Sequence, residues 1–221
     1  MLYSMSGHSH FATIKRQKGL KDAAKGNIFG KLSKNISIAI KSGGGTNPDM
    51  NFKLRIAIDK AKEFNMPKDN IDRILKNAEG KMESLEEIRY EGFGPYGIAI
   101  LVDVVTDNKN RSAQEFKNIF EKAGGNIAGP GAVSYNFDNK GYLLLKMEGS
   151  EDELEDLVDP QELNNEKKKA EESGFTVLLA ELRMVPKTYV EIEDPEKQEK
   201  IIKFLETLED HDDVQKVYSN F

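Results

Sequence analysis

Gly7-His8-Ser9-His10-Phe11-Ala12-Thr13-Ile14-Lys15-Arg16-Gln17-Lys18-Gly19 opens a basic stretch that runs on to Gly43-Gly44-Gly45. Between Met5 and Gly45 lie 8 cationic residues, Lys15, Arg16, Lys18, Lys21, Lys25, Lys31, Lys34 and Lys41, against a single acid, Asp22. The whole chain of 221 residues carries a formal net charge of −6. The two signs are segregated: residues 1–80 hold 15 Lys and Arg and 7 Asp and Glu, whereas residues 81–221 hold 17 and 31. A basic end on an acidic protein attracts polyanions while the remainder keeps the protein in solution. The composition therefore breaks near Gly80.

Working outward from that stretch, Asp22 is placed to cap a helix over about 23–41. Ile28, Leu32 and Ile36 recur every four residues, with Phe29, Ala39 and Ile40 beside them, and the triple glycine ends it. Asn47-Pro48-Asp49 reads as the start of a second helix, with Leu54, Ala57, Ile58 and Ala61 inward. Asn65-Met66-Pro67 resets the chain, and a third helix over about 68–77 buries Ile71, Ile74 and Leu75. Residues 1–80 thus read as a basic three-helix domain.

Beyond Gly80 the period changes. Ile88-Arg89-Tyr90 is short and extended, and Ile98–Val105 is a buried strand. A helix over 111–123 follows the Asp107-Asn108-Lys109-Asn110 turn. Ala132–Phe137 and Tyr142–Met147 read as strands joined by a hairpin-like turn at Asp138-Asn139-Lys140-Gly141. Residues 151–173 are acidic and helix-prone. Phe175–Val185 and Tyr189–Ile192 read as strands, 196–208 as an amphipathic helix, and Val214–Tyr218 as a last strand. The expected class is α+β with antiparallel sheets. The three-helix domain is followed by two small α/β domains, one inserted in the other: residues 81–135 plus 187–221, and residues 136–186.

Several chemistries are disfavoured. There is no cysteine, hence no disulfide framework and no thiolate nucleophile or metal ligand. His8 and His10 are close in sequence, but with 3 His in all a full ligand set is not assembled, and no metal or cofactor is expected. His211, in Glu209-Asp210-His211-Asp212-Asp213, reads as part of a solvated turn. Gly92-Phe93-Gly94-Pro95-Tyr96-Gly97 has the letters of a dinucleotide fingerprint, yet a strand follows it and Pro95 removes a donor. It reads as a turn between strands. The Gly124–Gly131 loop has the backbone N–H groups to cradle a phosphate but lies on the acidic half, which favours a structural or protein-contact role. No Ser/His/Asp set or paired buried carboxylates appear, so an enzyme is not expected. No apolar run reaches the ~20 residues of a membrane span. The short start before Met5 has no leader character, and a cytoplasmic protein is expected.

Four stretches then carry a resemblance to a known family. They are Met5-Ser6-Gly7-His8-Ser9 with Ala12-Thr13-Ile14-Lys15-Arg16; Asn65-Met66-Pro67-Lys68-Asp69-Asn70-Ile71; Tyr90-Glu91-Gly92-Phe93-Gly94-Pro95 with Thr106-Asp107-Asn108-Lys109-Asn110-Arg111; and Asp212-Asp213-Val214-Gln215-Lys216-Val217-Tyr218. The chain resembles the YebC/PmpR family of transcriptional regulators, which includes mitochondrial activators of cytochrome oxidase subunit translation. The resemblance spans almost the whole chain and implies a helical N-terminal domain, two α/β domains, and Met5 as the family's usual start. It implies a DNA-binding regulator, or a ribosome-associated translation factor that relieves stalling. Phe11, His10 and Gln17 stand where the family commonly has Trp, Lys and a basic residue. The segment Ser150–Glu171 is shorter than usual.

The functional expectation is a nucleic-acid-binding regulator of gene expression. Its phosphate contacts would come from Lys15, Arg16, Lys18, Lys21, Lys25, Lys31 and Lys34, with His8, Ser9 and Thr13 beside them. Asn108, Asn110 and Arg111 are candidate partner contacts. DNA, ribosomal RNA or mRNA, and through them the ribosome, are the candidate partners of a monomer that avoids membranes. The stretch lacks a recognition helix opening with base-reading Arg, Asn or Gln, which tilts the reading toward backbone or shape recognition. A protein-interaction scaffold is the alternative from another class.

Overall fold

The computed structural model describes residues 22–78, 85–147 and 153–221, with side chains in the first helix from Gly26 onward. Contacts group the chain into two units. One comprises Met1–Arg89, Asp103–Phe116 and Glu206–Lys216; the other comprises Tyr90–Val102, Lys117–Leu205 and Val217–Phe221.

In the first unit, α1 (Asp22–Gly43), α2 (Phe52–Glu63) and α3 (Lys68–Lys76) form a helical bundle. Leu32, Ile36, Ala39 and Ile40 of α1 meet Leu54, Ile58 and Ala61 of α2, with Met66, Ile71 and Ala78 closing the core. The spacing of three and four residues puts each set on one helix face. The second helix starts later than Asn47-Pro48-Asp49 suggests. Those residues make a preliminary turn, with Asp49 N–H on Asn47 Oδ1 at 3.0 Å and Asn51 N–H on Asn47 O at 3.0 Å. The cap is Asn51, whose Oδ1 accepts from Leu54 N at 3.0 Å. Its amide also donates to Ala39 O (2.9 Å) and Gly45 O (2.8 Å), so one buried side chain closes α1 and opens α2. Asn65 takes φ 58°, a left-handed conformation that Asn tolerates, and Pro67 then begins α3 as expected.

In chain order the strands are β1 (Glu86–Phe93), β2 (Ala99–Thr106), β3 (Asn126–Ala128), β4 (Phe137–Met147), β5 (Glu153–Val158), β6 (Phe175–Pro186) and β7 (Val214–Ser219). The further helices are α4 (Lys109–Lys122), α5 (Leu163–Glu172) and α6 (Pro195–Glu209). One sheet has the order β3-β1-β2-β7 and the other β5-β4-β6. This is the expected α+β class, with the helices close to their sequence-read positions.

Four local readings are corrected. Asp138–Gly141 is no hairpin turn; it lies inside β4 and pairs antiparallel with Leu182–Val185 of β6. Gly141 is needed because a Cβ there would sit 2.7 Å from Val158 Cγ2, where β5 closes in. Residues 132–136 form a loop and a short 3-10 turn (Ser134–Asn136) rather than a strand, while β3, hidden behind the Gly-Gly of 124–125, pairs with β1. The acidic segment yields β5 before α5, since Glu153–Val158 pairs residue for residue with Gly141–Lys146 and the ladder overrides helix propensity. Residues 189–192 form no strand; Pro186 and Pro195 bracket that segment, and Val190 N–H donates to Asn220 O at 2.7 Å. The turn reading of residues 92–97 agrees with the structure. A 3-10 turn at Pro95–Gly97 links β1 to β2, with Gly94 N–H on Ile98 O at 2.8 Å.

Candidate nucleic-acid interface

Of the residues expected on phosphate, Lys15, Arg16, Lys18, Lys21, His8, Ser9 and Thr13 lie outside the described residues, as does the Lys25 side chain. Lys31 and Lys34 are described, and both are half-buried against the chain's own acidic turn. Lys31 Nζ donates to Glu209 O. Lys34 Nζ lies 2.5 Å from Asp213 Oδ1 and donates to Asp212 O at 3.0 Å. Beside them Asn27 Nδ2 donates to Asp210 O at 2.8 Å. Burial pulls the Lys31 ammonium below its ordinary pKa, against the opposing charges of Glu209, Asp210 and Asp212. This face of α1 therefore engages the 209–213 turn.

Asp213 is the centre of that arrangement. Its side chain is 3% exposed. Oδ2 accepts from Ser112 Oγ (2.8 Å) and Arg111 Nη2 (3.1 Å), and its own carbonyl accepts from Val105 N at 2.8 Å. Burial alone would raise the carboxyl; hydrogen bonds from Lys34, Ser112 and Arg111, with the Lys34 charge, outweigh it and hold the pKa at about 2. Arg111 also reaches Asp107 at 3.0 Å, and Asn108 Oδ1 accepts from Arg111 N at 3.1 Å as a helix-start cap. The partner-contact candidates thus divide. Arg111 and Asn108 serve the start of α4 and Asp213, while Asn110 is exposed.

The 209–213 turn is less solvated than its composition suggests. His211 Nδ1 accepts from Asp213 N at 3.1 Å, which leaves Nε2–H to face Glu115 Oε2 at 3.0 Å, with the ring 4.6 Å from that of Phe116. Glu115, His211 and Asp213 bring three metal-type ligand atoms within 4.8 Å of one another. The donor set does not suit an ion, because both Asp213 oxygens already hold cationic or hydroxyl donors and His211 Nδ1 is occupied.

In the second unit a nest of backbone N–H groups cradles a side-chain carboxylate at the end of the Gly124–Gly131 loop, with one donor from that loop and two from just beyond it. Glu91, 6% exposed, accepts from Gly131 N (2.8 Å), Val133 N (2.9 Å) and Ser134 N (2.9 Å). Burial pushes this carboxyl up, but the three backbone donors and Ser134 bring it net below its ordinary value.

The solvent-facing cations of the described helical bundle lie mainly elsewhere. Lys53, Arg55 and Lys62 of α2 and Lys68, Arg73 and Lys76 of α3 are exposed, and sequence reasoning passed over all six. Met50, Phe52 and Ile56 are exposed apolar residues at the start of α2, and the Arg55 guanidinium lies 5.9 Å from the Phe52 ring centroid. The signal available was positional: these residues fall between the inward positions of α2 and α3. Asp213, Glu91 and Ser112 were also missed, although Glu91 and Asp213 sit inside stretches that carry the family resemblance.

Set beside known proteins, the chain matches the family model described as the TACO1/YebC protein N-terminal domain over residues 9–81. It matches the model for the TACO1/YebC second and third domain over residues 85–159 and 151–221. The chain belongs to the TACO1/YebC family. Relatives include a protein of Dictyoglomus thermophilum named "Probable transcriptional regulatory protein", 43% identical over 98% of this chain and 96% of that one. One from Geobacter sulfurreducens, named in the same words, is 42% identical over 98% and 96% of the two chains. The crystal structure of a conserved hypothetical protein from Aquifex aeolicus superposes with a TM-score of 0.83 at 39% identity, covering 96% of each chain. Among the described residues no helix is long and apolar enough to cross a membrane.

Proposed function

We propose that this chain is a nucleic-acid-binding regulator of gene expression that works in the cytoplasm by binding rather than catalysis. The basic N-terminal domain would lie on phosphate, and the acidic remainder would contact protein. The observation that carries this reading is the segregation of charge, 15 Lys and Arg against 7 Asp and Glu in residues 1–80 and the reverse balance beyond. The names of the relatives support a regulatory role. The contact set is drawn from Lys15, Arg16, Lys18, Lys21 and Lys25, joined by the exposed cations of α2 and α3. Lys31 and Lys34 are assigned to holding the 209–213 turn.

A second reading, a translation factor on ribosomal RNA, is favoured by the exposed aromatic Phe52 on the basic domain, since sequence-specific RNA recognition stacks unpaired bases on such rings. The test is sedimentation with ribosomes beside a duplex-DNA titration across salt, for the wild type and K15E/R16E/K18E. Duplex binding that is tight, sequence-selective and lost in the variant would establish the DNA regulator. Ribosome association lost in the variant, with weak sequence-blind duplex binding, would establish the translation factor. Neither probe binding would overturn the nucleic-acid reading and leave the scaffold.

A further inference from the structure

We infer that the first turn of α2 is a stacking platform for an unpaired base of a single-stranded nucleic acid, with Phe52 as the platform; the inference rests on the nucleic-acid reading above. Phe52 is 60% exposed, Met50 84% and Ile56 53%. Phe52 and Ile56 are four residues apart and share one helix face, while the inward positions Leu54, Ile58 and Ala61 take the other. Scattered exposed apolar residues are ordinary; an exposed aromatic ring sharing a helix face with an exposed isoleucine offers a surface to a partner.

Charge selects the partner. Residues 22–78 contain eleven Lys and Arg against six Asp and Glu. Arg55 carries its guanidinium 5.9 Å from the centroid of the Phe52 ring, and Lys53 stands beside it with Nζ 3.3 Å from Ser42 Oγ. Two acids stand close in sequence: Asp59, which is bonded by Lys62 at 3.2 Å, and exposed Asp49 in the turn before α2, against Lys53 and Arg55 on the first turn. An aromatic ring with a guanidinium over it and a lysine alongside offers a face for a base and cations for the adjoining phosphates. The backbone that carries the ring is anchored, because Asn51, the residue before it, is bonded to Ala39, Gly45 and Leu54. Bases in a duplex are already stacked on one another, so the platform distinguishes single strands from duplexes.

The test is fluorescence anisotropy of a labelled oligouridine and of a labelled duplex of equal length, with the full chain as wild type, F52A, F52L, F52W and K15E/R16E/K18E. F52A and F52L are expected to weaken oligouridine binding roughly tenfold, as loss of one stacked base does, with F52W close to wild type and the duplex unaffected. Three results would each overturn the platform: F52L binding like wild type, duplex and single strand weakening together, or F52A leaving oligouridine untouched. The last would make the patch a protein-docking face. The charge-reversed variant separates this outcome from failure of the broader reading, which falls if that variant binds both probes as wild type does.

Discussion

Lys34 Nζ lies 2.5 Å from Oδ1 of Asp213, a pair that joins two positions 179 residues apart in the chain. With Arg111 on the other oxygen, one buried carboxylate is shared by two cations. Its pKa, lowered from 3.8 to about 2, makes it a source of stability that is fully present above about pH 4 and is lost as pH falls through 2. D213N is expected to cost roughly 2 kcal/mol at neutral pH, since Lys34, Arg111 and Ser112 lose the carboxylate they share. Urea unfolding at pH 7 and at stepwise lower pH checks this: the gap between wild type and variant should narrow between pH 4 and 2.

Glu91 fills a nest of three backbone N–H groups. E91A leaves the buried Val133 N–H and two part-buried donors without an acceptor and is expected to destabilise by about 2 kcal/mol, with E91Q losing less. The vacated nest in E91A should then take inorganic phosphate. Added phosphate is predicted to raise the melting temperature of E91A and leave that of the wild type unchanged.

Asn51 links α1 to α2 through three hydrogen bonds from one buried side chain. N51A removes a helix cap and takes a donor from the buried Ala39 carbonyl and the part-buried Gly45 carbonyl. A loss of about 2–3 kcal/mol is expected, and N51D should not rescue it, because a carboxylate cannot donate to Ala39 and Gly45. Circular dichroism melts of the two variants decide the matter.

Tyr96 holds φ 61° in the turn between β1 and β2. A β-carbon in that region costs about 1–2 kcal/mol, and the ring's compensation is a Lys197 ammonium 5.6 Å away. Y96G is therefore expected to gain about 0.5–1 kcal/mol after the entropy of glycine is counted, and Y96A to gain nothing. Thermal unfolding of the pair tests whether strain or packing dominates there.

The helices were legible because their inward residues recur at three and four and because Pro67 and the glycines mark ends of several of them. The β2 run was legible because it is continuously apolar. The β4 interior was not, since Asp138-Asn139-Lys140-Gly141 is turn chemistry by local rules, and only pairing with residues some forty positions later makes it a strand. The same distance effect hid the Asp213 cluster. Its partners Lys34 and Arg111 come from other parts of the chain, and a run of acids in a charge count looks the same whether it faces water or lysine. Much of the basic stretch, from His8 to Lys21, lies outside the described residues, so the candidate interface is legible there in charge alone.

The contact of α1 with the 209–213 turn bears on how this protein is dissected. A fragment ending near residue 80 would carry Lys31 and Lys34 without Glu209, Asp212 and Asp213 to engage them. Two shielded cations would become free ligands for any polyanion. Such a fragment should bind nucleic acid more tightly than the intact chain, with a salt slope steeper by up to about 2. The carboxyl-terminal turn in this sense acts as a built-in competitor for phosphate, and affinities measured on the isolated helical domain would overstate those of the whole molecule.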